Sequence, residues 1–412
     1  MQPEAPPELS VPAPTVSSVR ALHTADWHVG KSLKGVSRLD EQEQVLREIV
    51  GIAREQEVDA VLVAGDLYDS AAPSAAAQRL VVRTLTALAG TGAEVVVIAG
   101  NHDHAATLDA YRPFAAAAGI TMVGAVRTAE SGGVVEFTAR NGEKATVAVL
   151  PFLSQRYAVR AAELVANSPA QNTGAYDQQV REIVGALTAG FRTDAVNLVM
   201  AHLTVLGGTF GGGERAAQSI FEYSVPAAVF PADAHYVALG HLHRRQALAA
   251  PVPVHYSGAP LAVDFGEQDN TNAVLLLEAT PTTPARVTDI PITAGRRLRT
   301  VHGTVSELAA MRDAVGDDLL RVWVRERARA GLREEVTDLL PNALEVRIDP
   351  EFAAPTTGSR PTSESGADRS PGELFREYLG TRSVDDRRVE ELFARLHDRV
   401  SDGHAERVGE GA

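Results

Sequence analysis

The sequence predicts an α/β protein in which two β-sheets pack between layers of helices, followed by a smaller α+β unit and a short helical tail. The main observation is that short apolar runs alternate with longer amphipathic stretches from Val19 onward. Short apolar runs are typical of buried strands, and apolar residues at helical spacing are typical of helices packed on them. This strand–helix–strand–helix–strand order predicts parallel strands with helices on the faces of the sheet.

The first sheet is expected to begin with three buried strands separated by two helices. The predicted strands cover residues 21–22, 60–63 and 95–98, and the predicted helices cover residues 39–56 and 73–88. Residues 134–138 and 145–150 form a predicted hairpin that turns at Asn141-Gly142. Further strands are expected at residues 196–200, 236–239, 252–256 and 273–277. This mixture predicts two sheets between helices, which is a four-layer α-β-β-α sandwich.

A smaller unit is expected in the next part of the chain. The sequence Pro-Thr-Thr-Pro at residues 281–284 indicates a turn between strands. Beyond Arg296, strands are expected at residues 298–302, 319–324 and 343–348, and helices at residues 305–314 and 333–339. We therefore place the main domain at residues 18–292 and the smaller domain at residues 293–353.

The last part of the sequence changes composition twice. Residues 354–372 are dominated by Pro, Ser, Thr and Gly, which cannot bury enough surface to fold. We expect a flexible linker at residues 354–371, and helices at residues 372–400, where apolar residues return at helical spacing. Such helices have little core of their own, so we expect them to dock on a partner, with packing on the protein's own surface as the alternative. Disordered segments are expected at residues 1–17 and 401–412.

Composition excludes several classes of site. The 412 residues include no cysteine, so disulfides, thiolate catalysis and cysteine-ligated zinc are excluded, and a metal must bind His, Asp, Glu or Asn. The formal net charge of −14 argues against nonspecific coating of nucleic acid, although a local basic patch can still hold phosphates. We find no apolar run long enough to span a membrane and no signal peptide in the proline-rich start, and we expect a cytoplasmic protein.

Polar clusters follow five of the predicted strands. Because strand ends meet at one edge of an α/β sheet, these clusters are expected to converge on one cavity. Asp-x-His and His-x-His suit an extended segment, in which alternate side chains point the same way, and the glycines before Asp66, Asn101 and His241 permit a sharp turn. The clusters are Asp26-Trp27-His28, Gly65-Asp66, Gly100-Asn101-His102-Asp103, Ala201-His202 and Gly240-His241-Leu242-His243.

A combined His and carboxylate cluster predicts a metal site. Such ligands suit manganese, iron or zinc better than calcium or magnesium. A shared aspartate can bridge two ions about 3.5–4 Å apart, a spacing that clamps the attacking and leaving oxygens of a phosphoester. Taken alone, an Asp-x-His pair is more often a surface or capping pair, and Gly-Asn-His-Asp can be a turn. Histidines at successive strand ends favour the metal site over these alternatives.

The order D-x-H, G-D, G-N-H-D, H and G-H-x-H resembles the signature of the calcineurin-like metallophosphoesterases. The strings LHTADWHVG (22–30), GDLYD (65–69), VALGHLH (237–243) and YSG (256–258) resemble the SbcD nuclease family within that superfamily. The resemblance extends over roughly residues 18–348 and is loose through residues 156–194. It implies two divalent ions, most often Mn²⁺. The first would be held by Asp26, His28, Asp66 and His243, and the second by Asp66, Asn101, His202 and His241.

The same resemblance assigns roles to the residues around the expected ions. It implies that His102 contacts the scissile phosphate and assists protonation of the leaving group. Asp103 is expected to orient His102 or a ligand. For His23 and His104 we expect structural or supporting roles. Asp69 stands where some relatives carry histidine, which leaves its role open.

Basic residues near the expected metal loops are candidates for contact with DNA phosphates. Each of these residues taken alone is more often a solvated surface charge. The smaller domain resembles a capping domain over a DNA groove and begins at Arg296, Arg297 and Arg299. The glycines at 207–208 and 211–213 lack the ending of a nucleotide-binding loop, and we expect a flexible loop beside His202. The candidate DNA contacts are Lys31, Lys34, Arg38, Arg244 and Arg245.

The sequence leaves three functions to compare. The first, implied by the resemblance, is the nuclease subunit of an SbcCD-type complex with both exonuclease and hairpin-opening endonuclease activity in DNA repair and recombination. Its implied partners are an SbcC-type coiled-coil ATPase and a second copy of the chain. The alternatives are a small-molecule phosphodiesterase that acts on a cyclic nucleotide, and a non-catalytic scaffold that bridges the ATPase and DNA. The full ligand set argues against the scaffold, and the extra domain and tail argue against the small-molecule enzyme.

Overall fold

The computed structural model describes residues 18–154, 169–214 and 224–353, together with Phe375, Leu379 and Phe393. The chain divides into two compact units between Ala353 and Ala354. In the second unit the three described residues are helical, and the rings of Phe375 and Phe393 stack with their centroids 4.0 Å apart. The elements that follow all belong to the first unit.

The strands of the described residues are, in chain order, β1 (Val19–Thr24), β2 (Ser32–Leu33), β3 (Val36–Ser37), β4 (Ala60–Val63), β5 (Glu94–Ile98), β6 (Ile120–Val123), β7 (Val134–Thr138), β8 (Lys144–Leu150), β9 (Ala195–His202), β10 (Thr204–Val205), β11 (Ser224–Val225), β12 (Tyr236–Gly240), β13 (Gln246–Leu248), β14 (Val254–Tyr256), β15 (Ala273–Thr280), β16 (Thr283–Pro291), β17 (Leu298–Gly303), β18 (Leu319–Val324) and β19 (Ala343–Ile348). The α-helices are α1 (Leu39–Glu55), α2 (Ala75–Ala89), α3 (Ala105–Ala117), α4 (Pro169–Thr188), α5 (Val305–Val315) and α6 (Leu332–Leu339).

The first large sheet has the strand order β16-β15-β1-β4-β5-β6. Strands β1, β4, β5 and β6 are parallel, as the alternation of strand and helix predicts. Their carboxyl ends therefore lie at the same edge of the sheet. Strands β15 and β16 extend the other side of the sheet in antiparallel pairing.

Helices α1 and α2 cover one face of this sheet. The apolar residues of α1 recur at helical spacing, so that one stripe of the helix is buried against strand residues such as Leu22 and Val61. Helix α2 begins at Ser74, whose hydroxyl accepts a hydrogen bond from the main-chain N–H of Ala77 at 3.2 Å. The cap and the apolar stripe together explain why these segments are helices.

The second large sheet has the strand order β13-β14-β12-β9-β8-β7. Strands β8, β9, β12 and β14 are parallel, and β7 pairs with β8 as the antiparallel hairpin that Asn141-Gly142 predicts. Helix α4 packs on the outer face of this sheet through residues such as Tyr176 and Val180.

Apolar side chains fill the space between the two sheets. Alternate strand residues point to opposite faces, so Ala21 of β1 and Leu62 of β4 contact the second sheet, whereas Leu22 and Val61 contact the helices. The facing side chains of the second sheet include Val196 and Leu198. Apolar contacts therefore run in succession from the helices through both sheets to α4.

A small parallel sheet of β17, β18 and β19 follows the large sheets. Helices α5 and α6 cover one of its faces, around Leu320, Val322 and Val336. Helix α5 begins with a capping box between Thr304 and Glu307. These strands and helices confirm the elements that the sequence predicts for this region.

Several elements of the described residues were not predicted from the sequence, among them α3, β6 and β16. Helix α3 contains Pro113 and buries only Leu108 and Ala115, so its apolar pattern is weak. Strand β6, which follows α3, has four residues. Strand β16 is a largely exposed edge strand that includes Pro284 and Pro291, and prolines inside a run argue against a strand on sequence grounds.

Several predictions fall outside the described residues. The segments at 1–17, 354–371 and 401–412, and the helices at 372–400 apart from three residues, belong to this group. Among the described helices, none combines the length and apolar character that a bilayer crossing requires.

Hydrogen bonds of buried charged side chains connect the start of the small sheet to α1. The Arg38 side chain is 2% exposed, and its guanidinium donates to the Glu41 carboxylate at 2.8 Å and to the main-chain oxygens of Ala262 and Arg296. The guanidinium and main-chain N–H of Arg296 also donate to Glu41, at 2.9 and 2.8 Å. Glu48 accepts from the main-chain N–H groups of Thr293 and Ala294 at distances from 2.8 to 3.1 Å. The connection between the large and small sheets is therefore held by two carboxylates of α1.

The Glu41 network predicts a pH-dependent contribution to stability. Burial alone would raise the pKa of Glu41, but hydrogen bonds from Arg38 and Arg296 outweigh it and lower the pKa from 4.5 to about 2. Because the folded pKa is the lower one, this stabilisation is complete above pH 4.5 and is lost as the pH falls toward 2.

We expect Glu41→Gln to lower the free energy of unfolding by about 2 kcal/mol at pH 7, since hydrogen bonds to charged groups have that magnitude. Urea unfolding of both proteins at several pH values measures the difference. A difference that stays constant from pH 7 to pH 3 would contradict the role of the ionised carboxylate.

Candidate metal centre

The polar clusters that follow the strands converge where the ends of both large sheets meet. Asp26 and His28 follow β1, Asp66 follows β4, and Asn101 and His102 follow β5 of the first sheet. His202 ends β9, and His241 and His243 follow β12 of the second sheet. Seven of these residues are buried, with exposures between 0 and 6%, and Asn101 is partly buried. Both sheets therefore contribute side chains to one centre.

The main chain at this centre has positive φ angles, which residues other than glycine rarely adopt. Six residues other than glycine have positive φ in the described chain, and four of them are Asp26 (54°), His28 (46°), Asp66 (52°) and His241 (104°). Left-handed conformations are costly for residues with a Cβ and persist where the surrounding structure enforces them. Their concentration here indicates that the positions of these side chains are imposed by the fold.

One group of potential ligands consists of Asp26, His28 and His243, whose ligand atoms lie within 4.8 Å of one another. Nε2 of His28 and Nε2 of His243 are 2.9 Å apart. The Asp26 carboxylate accepts from the main-chain N–H of His241 at 3.0 and 3.2 Å. Two imidazole nitrogens and a carboxylate that meet in this way form a donor set that fits a cation.

The second group contains Asn101, His202 and His241. Oδ1 of Asn101 lies 2.9 Å from Nε2 of His202 and 2.8 Å from Nδ1 of His241. His202 donates its Nδ1–H to the main-chain oxygen of Ala64 at 2.8 Å, which leaves the Nε2 lone pair for the centre. Three donor atoms from three strand ends therefore meet at a second point.

Asp66 lies between the two groups. Its Oδ2 is 3.7 Å from Nε2 of His28 and 3.6 Å from Nε2 of His202. Its Oδ1 accepts from the main-chain N–H of His102 at 2.8 Å. One carboxylate oxygen of Asp66 is thus almost equally distant from a ligand atom of each group.

Burial shifts the pKa of several members of the cluster. Burial raises the pKa of Asp26 well above its ordinary range, with a smaller opposing effect of His243. Burial also lowers the pKa of His28 and lowers that of His241 to about 3. A divalent cation would favour the ionised carboxylate and the neutral imidazoles, so the residues present fit such an ion.

His102 is held by a different partner from the one expected. Its Nδ1–H donates to the main-chain oxygen of Asp69 at 2.8 Å, and its ring meets the His28 ring edge-on with the centroids 4.6 Å apart. The carboxylate of Asp69 forms an ion pair with Lys31 at 3.0 Å and lies 3.9 Å from Nδ1 of His28. Asp69 thus supports His102 through its main chain.

Asp103 holds the main chain around the centre. Its carboxylate accepts from the N–H groups of Leu67 at 3.2 Å, Tyr68 at 3.1 Å and Gly100 at 2.9 Å. Burial, together with the charge of Asp66, raises the pKa of Asp103 to about 7. Of the two roles expected for it, the contacts favour orientation of the ligand loops, since Asp69 is the partner of the His102 ring.

The glycines before the ligands serve close packing as much as turning. Gly65 has a φ of +94°, as a sharp turn requires, but Gly100 and Gly240 do not have positive φ. A Cβ at Gly100 would lie 2.1 Å from Oδ1 of Asp66, and one at Gly240 would lie 1.9 Å from the Ala64 oxygen. The expectation of a turn is therefore corrected for Gly100 and Gly240, where the absence of a side chain lets two strand ends approach.

The remaining two histidines near the ligands are structural. His23 is buried, and its ring bonds to the hydroxyl of Tyr236 at 2.9 Å and to the main-chain oxygen of Leu239 at 3.2 Å. His104 caps α3, because its Nδ1 accepts from the main-chain N–H of Thr107 at 3.2 Å. Both contacts agree with the structural alternative given for these residues.

Two glutamates at the centre were missed by the sequence reasoning. Glu267 lies 2.5 Å from Nδ1 of His243 through its Oε1. Glu214 accepts from the main-chain N–H groups of Gly211, Gly212 and His243 at 2.6 to 3.0 Å. Neither glutamate is adjacent to a strand-end motif, so nothing in the sequence identifies either one as part of the metal centre.

The glycine loop is also placed differently from the expectation. Gly211 and Gly213 pack against His243, and Gly212 packs against Gly266. A Cβ at Gly213 would lie 1.8 Å from Oε1 of Glu267. The prediction placed this loop beside His202; the contacts of Gly211 and Gly213 are with His243, where only glycines allow so close an approach.

The five candidate DNA contacts have different surroundings. Arg244 is exposed, whereas Lys31 pairs with Asp69, Lys34 pairs with Glu345 at 3.4 Å, and Arg245 pairs with Asp289. Arg38 is buried and bonded to Glu41 and two main-chain oxygens. The prediction that Arg38 contacts DNA is therefore wrong, since its guanidinium is not accessible.

Comparison with known families agrees with this geometry. The sequence profile of the calcineurin-like phosphoesterases matches residues 19–245, a range that contains the eight candidate residues. The chain belongs to this family. Helices α5 and α6 and the small sheet lie beyond the matched residues.

Three proteins that are named as nuclease subunits are similar in sequence to this chain. The SbcD subunit of nuclease SbcCD from Bacillus subtilis (strain 168) is 38% identical over 284 residues, which are 68% of this chain and 71% of that protein. The protein of the same name from Rhodobacter capsulatus is 35% identical over 279 residues, 63% of this chain and 66% of that protein. The Escherichia coli (strain K12) protein is 32% identical over 273 residues, 63% of this chain and 64% of that protein. Among the calcineurin-like phosphoesterases, the chain is thus of the SbcD type, and the matches span about two thirds of the relatives' length.

The close packing of Gly240 predicts that this phosphoesterase tolerates no side chain there. We expect Gly240→Ala to lower the free energy of unfolding by about 1–3 kcal/mol, because the added methyl group has to displace the Ala64 carbonyl or His202. Urea unfolding measures the change.

Gly51→Ala is the matched control, since Gly51 lies in α1 with no atom within 4 Å of the added Cβ. We expect this variant to gain about 0.5–1 kcal/mol. Equal effects of the two substitutions would contradict the close approach at Gly240.

Proposed function

We propose that this SbcD-type phosphoesterase is a metal-dependent DNA nuclease subunit that hydrolyses phosphodiester bonds. The observation that carries the proposal is the position of Asp66, whose Oδ2 lies 3.6–3.7 Å from a ligand nitrogen of each of two donor groups. A carboxylate between two donor groups suits a pair of ions acting on one phosphodiester. The names of the relatives support DNA as the substrate.

The ions in this proposal are two divalent cations, with Mn²⁺ as the first choice because of the combined imidazole and carboxylate ligands. Asp26, His28, Asp66 and His243 would hold one ion, and Asp66, Asn101, His202 and His241 would hold the other. Bound there, the ions would neutralise the charge that develops on the phosphate during hydrolysis.

His102 is the proposed proton donor to the leaving oxygen. Its Nδ1–H donates to the main-chain oxygen of Asp69, so Nε2 is the ring nitrogen that can contact the substrate. The ring is 6% exposed and is packed against His28, a proposed ligand. In this proposal His102 lies beside the ions and is not one of their ligands.

The small sheet supports a role as a cap over DNA in the proposed four-layer enzyme. Helices cover one face of this sheet, and the other face carries a row of His302, Trp323 and Arg347, with the guanidinium of Arg347 5.6 Å from the centre of the Trp323 ring. On the same face Lys34 reaches Glu345 from the loop after His28. Arginine and aromatic side chains on a sheet are typical of surfaces that bind nucleic acid.

For the DNA reaction we propose both exonuclease activity on double-stranded ends and endonuclease activity on single strands and hairpins, within repair and recombination in the cytoplasm. The proposed ATP-dependent partner is an SbcC-type coiled-coil ATPase, because the relatives are named as subunits of SbcCD. The docking element proposed for it, at residues 372–400, lies outside the described residues apart from Phe375, Leu379 and Phe393. The proposed contacts to DNA phosphates remain Lys31, Lys34, Arg244 and Arg245.

A homodimer within a heterotetramer is also proposed, and an apolar surface on α2 and α3 supports it. Phe114 is 78% exposed, Val82 is 55% exposed and Tyr111 is 39% exposed, and they border a groove of about 340 Å³. Exposed apolar surfaces of this kind mark contacts between proteins. We therefore place the second copy at α2 and α3.

We expect His102→Ala to slow Mn²⁺-dependent cleavage of a linear DNA duplex by about 10²–10⁴-fold, the usual contribution of a positioned proton donor. Manganese binding, measured by calorimetry, should be retained. His104→Ala is the control, because it removes a histidine that caps a helix and should leave cleavage unchanged. Undiminished cleavage by His102→Ala would contradict its role. Cleavage of a cyclic nucleotide in preference to DNA by the wild-type protein would favour the small-molecule enzyme.

We expect Phe114→Glu to convert a dimer into a monomer, because a charge at the border of the apolar groove opposes association. Sedimentation velocity of the purified chain measures the change. Phe352→Glu is the control, since Phe352 is another exposed phenylalanine (37%) and belongs to a different element, the 3₁₀ turn Pro350–Phe352. A monomeric wild-type protein, or a dimer that survives Phe114→Glu, would contradict this placement.

A further inference from the structure

Glu267 is buried beside the proposed metal centre and contacts one of its ligands. The glutamate lies in a short 3₁₀ turn, Phe265–Glu267, and is 1% exposed. Its Oε1 is 2.5 Å from Nδ1 of His243, and its Oε2 accepts from the main-chain N–H of Val263 at 2.7 Å. Both carboxylate oxygens are therefore engaged, one with the imidazole and one with the main chain.

The contact with Glu267 determines which nitrogen of His243 can bind a cation. A carboxylate accepts hydrogen bonds, so Nδ1 of His243 must carry the proton that it donates. Nε2 is then the other ring nitrogen, and it points at the centre, 2.9 Å from Nε2 of His28. An acceptor on one imidazole nitrogen fixes both the tautomer and the orientation of a metal-binding histidine.

The packing around Glu267 allows little movement of its carboxylate. A Cβ at Gly213 would lie 1.8 Å from Oε1, so the glycine loop closes over the carboxylate. The main-chain N–H of His243 donates to Glu214 at 3.0 Å, which holds the backbone of this proposed ligand. Ring and backbone of His243 are thus fixed by two different glutamates.

The turn that carries Glu267 is itself anchored on the small sheet. Phe265 is buried with Leu298 and Leu319, and the guanidinium of Arg321 lies 4.7 Å from the centre of its ring. The side chain of Gln268 accepts from the main-chain N–H of Thr300 at 2.8 Å. Residues on either side of Glu267 therefore hold the turn against the neighbouring sheet.

We propose that Glu267 is a positioning residue that holds His243 in the orientation and tautomer needed to bind one of the two ions. The proposal rests on the proposed metal-dependent function and adds a residue outside the strand-end motifs and outside the matched range 19–245. Glu267 does not contact the substrate in this scheme. It acts through His243, and the small sheet supplies the rigidity of its turn.

The test is a calorimetric titration of the metal-free full-length chain with Mn²⁺, for the wild type, Glu267→Gln and Glu267→Ala. Gln keeps the volume of the side chain but removes its charge, so a role limited to packing would leave binding unchanged. We expect two ions to bind the wild type, and one of the two affinities to fall by about 10–100-fold in Glu267→Gln, as for other partners of metal-bound histidines. Ala should weaken the same site at least as much.

Glu48→Gln is the matched control, since Glu48 also accepts main-chain hydrogen bonds but has no contact with a proposed ligand. Wild-type binding by Glu267→Gln, or equal weakening by Glu48→Gln, would overturn the proposal while the metal-dependent function stands. A wild-type chain that binds no Mn²⁺ would overturn both.

A measurement on the wild-type chain covers the case in which the variants do not fold. The ¹⁵N chemical shifts of His243 in the chain bound to Zn²⁺, a diamagnetic ion that imidazole ligands suit, should be those of the Nδ1–H tautomer, with Nε2 unprotonated. The opposite tautomer would overturn the assignment of Glu267.

Discussion

The hydrogen bond from the main-chain N–H of His241 to the carboxylate of Asp26 joins the end of β12 to the end of β1, and the rest of the centre depends on it. It brings together strand ends from two different sheets. The Asp26 side chain that accepts this bond is fully buried. The burial of an ionised carboxylate is costly unless a counter-charge compensates for it. The left-handed backbone at both residues shows that the fold imposes this arrangement.

Much of the fold follows from hydrophobic periodicity. The strands β1, β4 and β5 and the helices α1 and α2 were predicted within a few residues, because their apolar residues recur at the spacing of one buried face. Helix α3 and strand β16 were missed for a common reason, since both contain proline and bury little surface. The signal on which the prediction depends is weak wherever an element contributes little to the core.

The candidate site was predictable to the extent that it lies at strand ends. The rule that parallel strands end at one edge locates Asp66 and His202 without knowledge of any contact. It gives no information on Glu267, which reaches His243 from a loop. It also gives none on Arg38, whose contacts with the main-chain oxygens of Ala262 and Arg296 are set by tertiary packing. A basic residue that is close to a metal ligand in the sequence can form buried structural hydrogen bonds, as Arg38 does, as easily as it can contact a phosphate.

The donor atoms of the centre come from positions that are far apart in the chain, from Asp26 to His243. During synthesis on the ribosome the N-terminal part of a chain emerges first and can begin to fold before the rest is made. A nascent chain that ends before His241 lacks a donor of each group, since His241 and His243 are both absent. The complete donor set therefore exists only once His243 has been synthesised, and products truncated before His241 lack a donor of each group.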